Sequence, residues 1–310
     1  MTSWLKRTLV TVSLAVSLPV AAANYTIGTG SQSGTYYPFG GMLAKVWSEN
    51  IKDFNMRAEV TAASVENIIK VASGQQLAGI AMGDSVLAAM KGEAPFRRPM
   101  DVSVLFALYP NVVQFIVPAN SSIKSVEDLK GKKVSVGAPG SGTRVGSTAI
   151  LKALGINEGD FKAQSLNYTA TTEALANGQI DAGVIIGSAG VGAITELALT
   201  RDVRVLSFSK DELDKIHAAL PAYAGMDIPA ETYNKVPAFT APAVWNVLVV
   251  KKDLDPKLAS EMVKTAFANM DKIKNVIADA KNTTVANMER LEGAPLHPSS
   301  LAYYNEMKGK

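Results

Sequence analysis

One feature constrains this chain more than any other: it says the same thing twice. The run Ile27-Gly28-Thr29-Gly30-Ser31-Gln32-Ser33-Gly34-Thr35 returns, with a one-residue gap, as Val136-Gly137-Ala138-Pro139-Gly140-Ser141-Gly142-Thr143. A second pair, Gly74-Gln75-Gln76-Leu77-Ala78-Gly79-Ile80 and Gly178-Gln179-Ile180-Asp181-Ala182-Gly183-Val184, aligns without gaps, and Gly83 then matches Gly187. The spacings are nearly equal, 108 residues from Ser33 to Ser141 and 104 from Gly74 to Gly178. Two matches in the same order at one spacing indicate two halves built on one plan. The length of 310 residues fits two such units.

Around the repeats, short apolar segments alternate with amphipathic ones. Strands are expected at 25–27, 56–61, 78–82, 102–108, 112–117, 133–136, 182–186, 203–206 and 244–250. Helices are expected at 36–49, 65–72, 85–91, 145–154, 191–199, 256–270, 272–280 and 299–307, and residues 220–242, with four prolines, as irregular. This alternation is that of an α/β protein with a largely parallel sheet.

Residues 1–23 stand apart. Lys6 and Arg7, then an apolar run from Leu9 to Val20, then Ala21-Ala22-Ala23, form the pattern of a secretory leader cut near Ala23. The apolar run is too short to span a bilayer. Removing two cations from a net charge of +3 leaves about +1, too balanced for a nucleic-acid partner. With no Cys there is no lipid attachment, disulfide or thiolate metal site, and His217 and His297 are too far apart in sequence to suggest a zinc pair. The expectation is an exported periplasmic protein with no cofactor and no metal.

Each duplicated loop opens a helix, where free N–H groups and the helix dipole receive anions. Ser33, Gly34, Thr35 and Tyr36 from the first loop, and Ser141, Gly142, Thr143 and Arg144 from the second, are therefore the first candidate ligand contacts. Arg144 opposes the dipole at its helix start, so a carboxylate partner would justify it. Ser64, Asn67, Asp84, Tyr109 and Ser188 are further candidates; Asp84 also suits a helix cap. Tyr168 and Tyr223 are candidate wall residues. Enzyme motifs are weak: Gly28-Thr29-Gly30-Ser31-Gln32-Ser33 has Ser where a dinucleotide loop has its third Gly, and Glu127-Asp128 and Glu292 suggest no dyad.

The runs GTGSQSGTYYPFGG (28–41), ASVENIIKVASGQQLAGIAMGD (63–84), SVEDLKGKKVSVGAPGSGTRV (125–145), ALANGQIDAGVIIGSAGVGAITELA (174–198) and AVWNVLVVKKDL (243–254) together resemble TAXI-type solute receptors of the TRAP transporters. Gln76-Leu77 and the proline-free 187–193 depart from that pattern. The resemblance implies an α/β, two-lobe periplasmic binding protein of the second type, with two crossover strands and a ligand cleft between the lobes. Crossings near 114–117 and 242–246 would give lobe 1 as 24–116 and 245–310, and lobe 2 as 117–244. It implies a monomer that captures a small carboxylate, glutamate-like or a dicarboxylate, and delivers it to TRAP membrane subunits without chemistry. The alternatives are a receptor of an ATP-driven importer for a sulfonate or phosphonate, and an exported hydrolase.

Overall fold

The duplicated segments become duplicated strand sets. The computed structural model describes residues 23–291 and 293–309, so Glu292 and the leader expected over 1–23, except for its Ala23, lie outside the described residues. The strands are β1 Ala23–Gly28, β2 Phe54–Glu59, β3 Ala78–Met82, β4 Val102–Pro118, β5 Lys133–Ser135, β6 Lys162–Gln164, β7 Ala182–Gly187, β8 Val203–Val205, β9 Ala224–Ile228 and β10 Phe239–Lys251. The helices are α1 Tyr36–Asn50, α2 Ser64–Ala72, α3 Gly83–Lys91, α4 Gly142–Ala153 and α5 Tyr168–Ala176. They continue with α6 Gly192–Thr200, α7 Lys210–Ala219, α8 Pro256–Ala268, α9 Met270–Lys274 and α10 Pro298–Lys308.

In the first half β1 lies between β2 and β3, parallel to both, with Ile27 beside Ala78. In the second half β5 lies between β6 and β7, parallel to both, with Val134 beside Ala182. β3 and β7 are apolar and buried along their whole length, as strands covered on both faces must be. The sheet is mixed, because two long strands, antiparallel to each other, join these sets, β10 running antiparallel to β3 and β4 antiparallel to β7. β4 pairs with β10 along its first two thirds and with β7 and β8 beyond, changing partner at Val112, ahead of the expected crossing at 114–117. β10 pairs with β9 through Phe239–Ala243 and with β3 through Asn246–Val250.

Three expectations change. The Tyr109-Pro110-Asn111 segment is no turn between strands: β4 continues through Pro110, which faces Trp245 just before a register shift. Proline donates no ladder bond, and an irregular register is where a sheet tolerates it. Residues 220–242 are not irregular throughout, since β9 and the start of β10 lie there. The stretch expected as a helix over 272–280 breaks after Lys274 and resumes as a 3-10 turn at Ala278–Asn282. Helices α5 and α7 also escape the apolar periodicity. α7 buries only Ile216, so its readable signal is the capping box of Ser209 and Glu212 rather than an apolar stripe.

The cores follow the same division. One gathers Phe39, Leu43, Trp47, Phe106 and Val263 under α1 and α8, and another packs Ile68, Val71, Val86 and Val104 on the opposite face of the same half. The third gathers Phe115, Val134, Ile150, Val184 and Ile194 in the second half. Separate cores joined by two strands form a mixed α/β, two-lobe binding-protein architecture.

Candidate functional site

A cavity of about 280 Å³ lies between the halves. Four helices begin on its wall. The first residues Tyr36 of α1, Ser64 of α2, Gly142 of α4 and Tyr168 of α5 line it, and so do the residues before them, Thr35, Ala63, Ser141 and Asn167. Each start leaves backbone N–H groups without intrahelical acceptors and carries about half a positive charge. Some are satisfied locally: Ser141 Oγ accepts from Arg144 N–H at 3.0 Å, and Asn167 Oδ1 accepts from Ala170 N–H at 2.9 Å. The N–H groups one and two residues into α4 and α5 remain for a ligand. Ala63 holds φ at +84°, a region a non-glycine residue seldom enters, and Thr61 Oγ1 fixes it by accepting its N–H at 3.0 Å.

None of the residues lining the cavity is charged. The polar wall is hydroxyls, amides and backbone. Tyr36 donates to Asn246 Oδ1 at 2.5 Å, and Tyr168 donates to Ile186 O at 2.5 Å. Thr143 Oγ1 lies 3.2 Å from the Tyr168 hydroxyl, whose proton is already given to Ile186. Burial raises the Tyr36 hydroxyl well above its ordinary pKa, with Tyr168 adding to the effect, and burial lifts Tyr168 to about 12. Both therefore stay neutral donors. Met82, Ile186 and Val60 supply apolar surface. Such a wall solvates an anion by dipoles rather than by a counter-charge.

Of the sequence candidates, Gly34, Thr35, Tyr36, Ser64, Ser141, Gly142 and Thr143 line this cavity. Six do not. Arg144 is the main correction: its Nη2 meets Glu158 Oε1 at 2.6 Å, so the carboxylate it needs is on its own half. Asn67 is a fully buried brace, donating to Thr29 O and Ile80 O and accepting from Thr61 Oγ1. Tyr109 packs against Phe39 in the first core, with ring centroids 5.3 Å apart. Asp84 accepts from Ser85 N–H at 2.6 Å and from the Tyr223 hydroxyl at 2.8 Å, behind the cavity. Ser33 and Ser188 face a second groove. Asn111, in the Tyr109-Pro110-Asn111 segment that the sequence places at the cleft, lines the cavity, and wall residues the sequence did not single out include Thr61, Asn167 and Thr169. Asn167 carried a signal, a cap residue opening 168–176.

Direct contacts tie the halves together around the cavity. Thr35 Oγ1 and Ser188 Oγ are 2.6 Å apart, and Ser33 Oγ and Thr169 Oγ1 are 3.1 Å apart. Ala193 N–H donates to Ser33 O at 3.0 Å and Glu66 N–H to Gly140 O at 3.2 Å. A Cβ on Gly142 would stand 2.5 Å from Ser64 Oγ and 3.1 Å from Met82 Cε, so glycine is required for this approach.

The model of the NMT1-like family matches residues 27–308. The chain belongs to the NMT1-like family. Solved structures support the architecture of this NMT1-like protein at low identity. A protein from Bordetella bronchiseptica RB50 is 15% identical over 93% of this chain and 98% of its own, with a TM-score of 0.59. The alkanesulfonate-binding protein SsuA from Xanthomonas axonopodis pv. citri, bound to MOPS, is 15% identical over 93% of this chain and 91% of its own, with a TM-score of 0.53. A putative L-cystine ABC transporter from Listeria monocytogenes is 15% identical over 84% of this chain and 98% of its own, with a TM-score of 0.53. These likenesses establish the periplasmic binding-protein fold.

Proposed function

We propose that this chain is an exported solute receptor that encloses a small organic anion between its two lobes and releases it to membrane subunits of an importer. The observation that carries the reading is the convergence of four helix starts on one cavity without a charged side chain. The lobes are taken as 24–116 with 245–310, and 117–244. A ligand that touches α1 and α2 on one side and α4 and α5 on the other favours the closed form, which is how binding is signalled to a partner. The two histidines support no catalytic role: His217 Nδ1 lies 2.8 Å from Tyr223 O, and His297 caps α10.

Two delivery systems are in play. The TAXI-type likeness of residues 28–41 and 125–145 supports a carboxylate, glutamate-like or a dicarboxylate, and TRAP membrane subunits. The fold shared with an alkanesulfonate receptor and a putative L-cystine ABC transporter supports an ATP-driven importer, with a sulfonate head group in line with the first of these, and it extends over most of the chain. An acid taken up as an amino acid would find no carboxylate on the wall for its ammonium, so a neutral acceptor would have to receive it. A thermal-shift screen of carboxylates, sulfonates and phosphonates tests the reading. A ligand at a hundred times its Kd should stabilise by about 2.7 kcal/mol. Stabilisation by neutral sugars and by none of these anions would overturn it.

A further inference from the structure

Five buried side-chain polar atoms have no hydrogen-bond partner among the described residues: Gln76 Oε1, Tyr109 OH, Asn111 Oδ1, one Arg144 nitrogen and Ser300 Oγ. Of these residues, Asn111 alone lines the cavity. It is 2% exposed and sits on β4 where that strand passes between the halves. A buried carbonyl without a donor costs free energy comparable to a lost hydrogen bond, so its vacancy calls for a donor from outside the chain.

The orientation of this amide is fixed by its neighbours. Asn111 Nδ2 donates to Ile186 O at 3.2 Å and lies 3.5 Å from the Tyr36 hydroxyl. Turning the amide over would set its oxygen against the Ile186 carbonyl, two acceptors facing each other. The Tyr36 hydroxyl cannot supply the missing proton either, because it gives its own to Asn246 Oδ1. Ile186 O already takes the Tyr168 hydroxyl as well as Asn111. The Tyr36 and Tyr168 hydroxyl protons are thus committed, and Asn111 Oδ1 is left as an acceptor.

We propose that Asn111 is the specificity-determining residue of the cavity: it accepts a hydrogen bond from a hydroxyl or amino group on the ligand, so the solute is a hydroxy- or amino-substituted organic acid rather than a plain alkyl acid. This rests on the reading of the cavity as an organic-anion site and adds a second recognition point to it. The acid group meets the helix starts, and the neutral or cationic donor meets the amide. A site built around such an acceptor rejects the analogue lacking the donor, because the acceptor is then desolvated for nothing.

Calorimetry on matched sets tests this: succinate, malate and aspartate; propionate, lactate and alanine; ethanesulfonate, isethionate and taurine. Within the set that binds, a donor-bearing member should bind about tenfold or more tighter than its plain counterpart. In Asn111→Ala that ratio should fall to about twofold or less, with the plain acid little changed. Equal affinities for plain and substituted acids in the wild type would overturn the proposal; that result needs no variant, so a folding defect in Asn111→Ala leaves the test intact. A ratio that persists in a folded Asn111→Ala would move the recognition to another residue and overturn the assignment. Absence of binding by all nine acids would overturn the organic-anion reading itself, and this proposal with it.

Discussion

Removing the Tyr223 hydroxyl should loosen the two halves by a predictable amount. Tyr223 belongs to the second core and is 1% exposed, while Asp84 opens α3 on the first half. The hydroxyl donates to Asp84 Oδ2 at 2.8 Å. Hydrogen bonds to a charged acceptor contribute about 1.5–3 kcal/mol, and Tyr223→Phe leaves the carboxylate held by Ser85 alone. For a chain of this size, about 2–4 °C per kcal/mol gives a melting-temperature loss of roughly 3–12 °C. The decisive measurement is a double-mutant cycle with Asp84→Asn, read by urea denaturation with and without a bound acid. A coupling energy of at least about 1 kcal/mol is expected. Because the bond spans the halves, the same loss should appear in ligand affinity. A coupling below about 0.5 kcal/mol, or a Tyr223→Phe protein that melts like the wild type, would refute the argument.

Four other perturbations probe further positions. Gly142→Ala should weaken ligand binding at least tenfold and lower the melting temperature, because the new methyl obstructs the approach of Ser64 and Met82 across the cleft; overpacking of this kind costs about 1–3 kcal/mol. Arg144→Ala should leave ligand affinity within about twofold by calorimetry, and lower stability by no more than about 1 kcal/mol, since its pair with Glu158 is partly exposed. Burial raises the pKa of Asp84, so its contribution to stability is complete below the ordinary carboxylate range and is lost as pH rises through its folded value. Asp84→Asn should therefore flatten that fall in melting temperature. Glu59, bonded by Lys70, is lowered instead, so Lys70→Met should blunt the loss of stability on acidification.

Much of the fold was legible because its signals are local. Gly28–Thr35 and Val136–Thr143 mark strand-to-helix turns by composition alone, and the buried strands β3 and β7 announce themselves as unbroken apolar runs. Seven of the candidate residues in and around those turns reach the cavity wall for the same reason: a helix start points its N–H groups wherever the preceding strand ends. α7 was hidden because an exposed helix needs no apolar stripe, and β4 because a proline in a strand reads as a turn until its irregular partner is seen.

The residues that failed were judged by side-chain chemistry without knowledge of their partners. Arg144 looked like a ligand clamp, yet one end of its guanidinium pairs with Glu158, fourteen residues on. Tyr109 and Asn111 are two apart on β4, and both turn toward α1. The first meets Phe39 in the core, and the second meets the Tyr36 hydroxyl at the helix start. The repeated loops, written in the sequence, determined that this chain would present helix starts from two similar halves. Which side chains stand between those ends, and which acceptor is left open there, was decided by the tertiary structure. Hydrogen-bond partners 75 and 210 residues apart, such as Asn111 with Ile186 and Tyr36 with Asn246, are set by how the two halves pack and not by any local pattern.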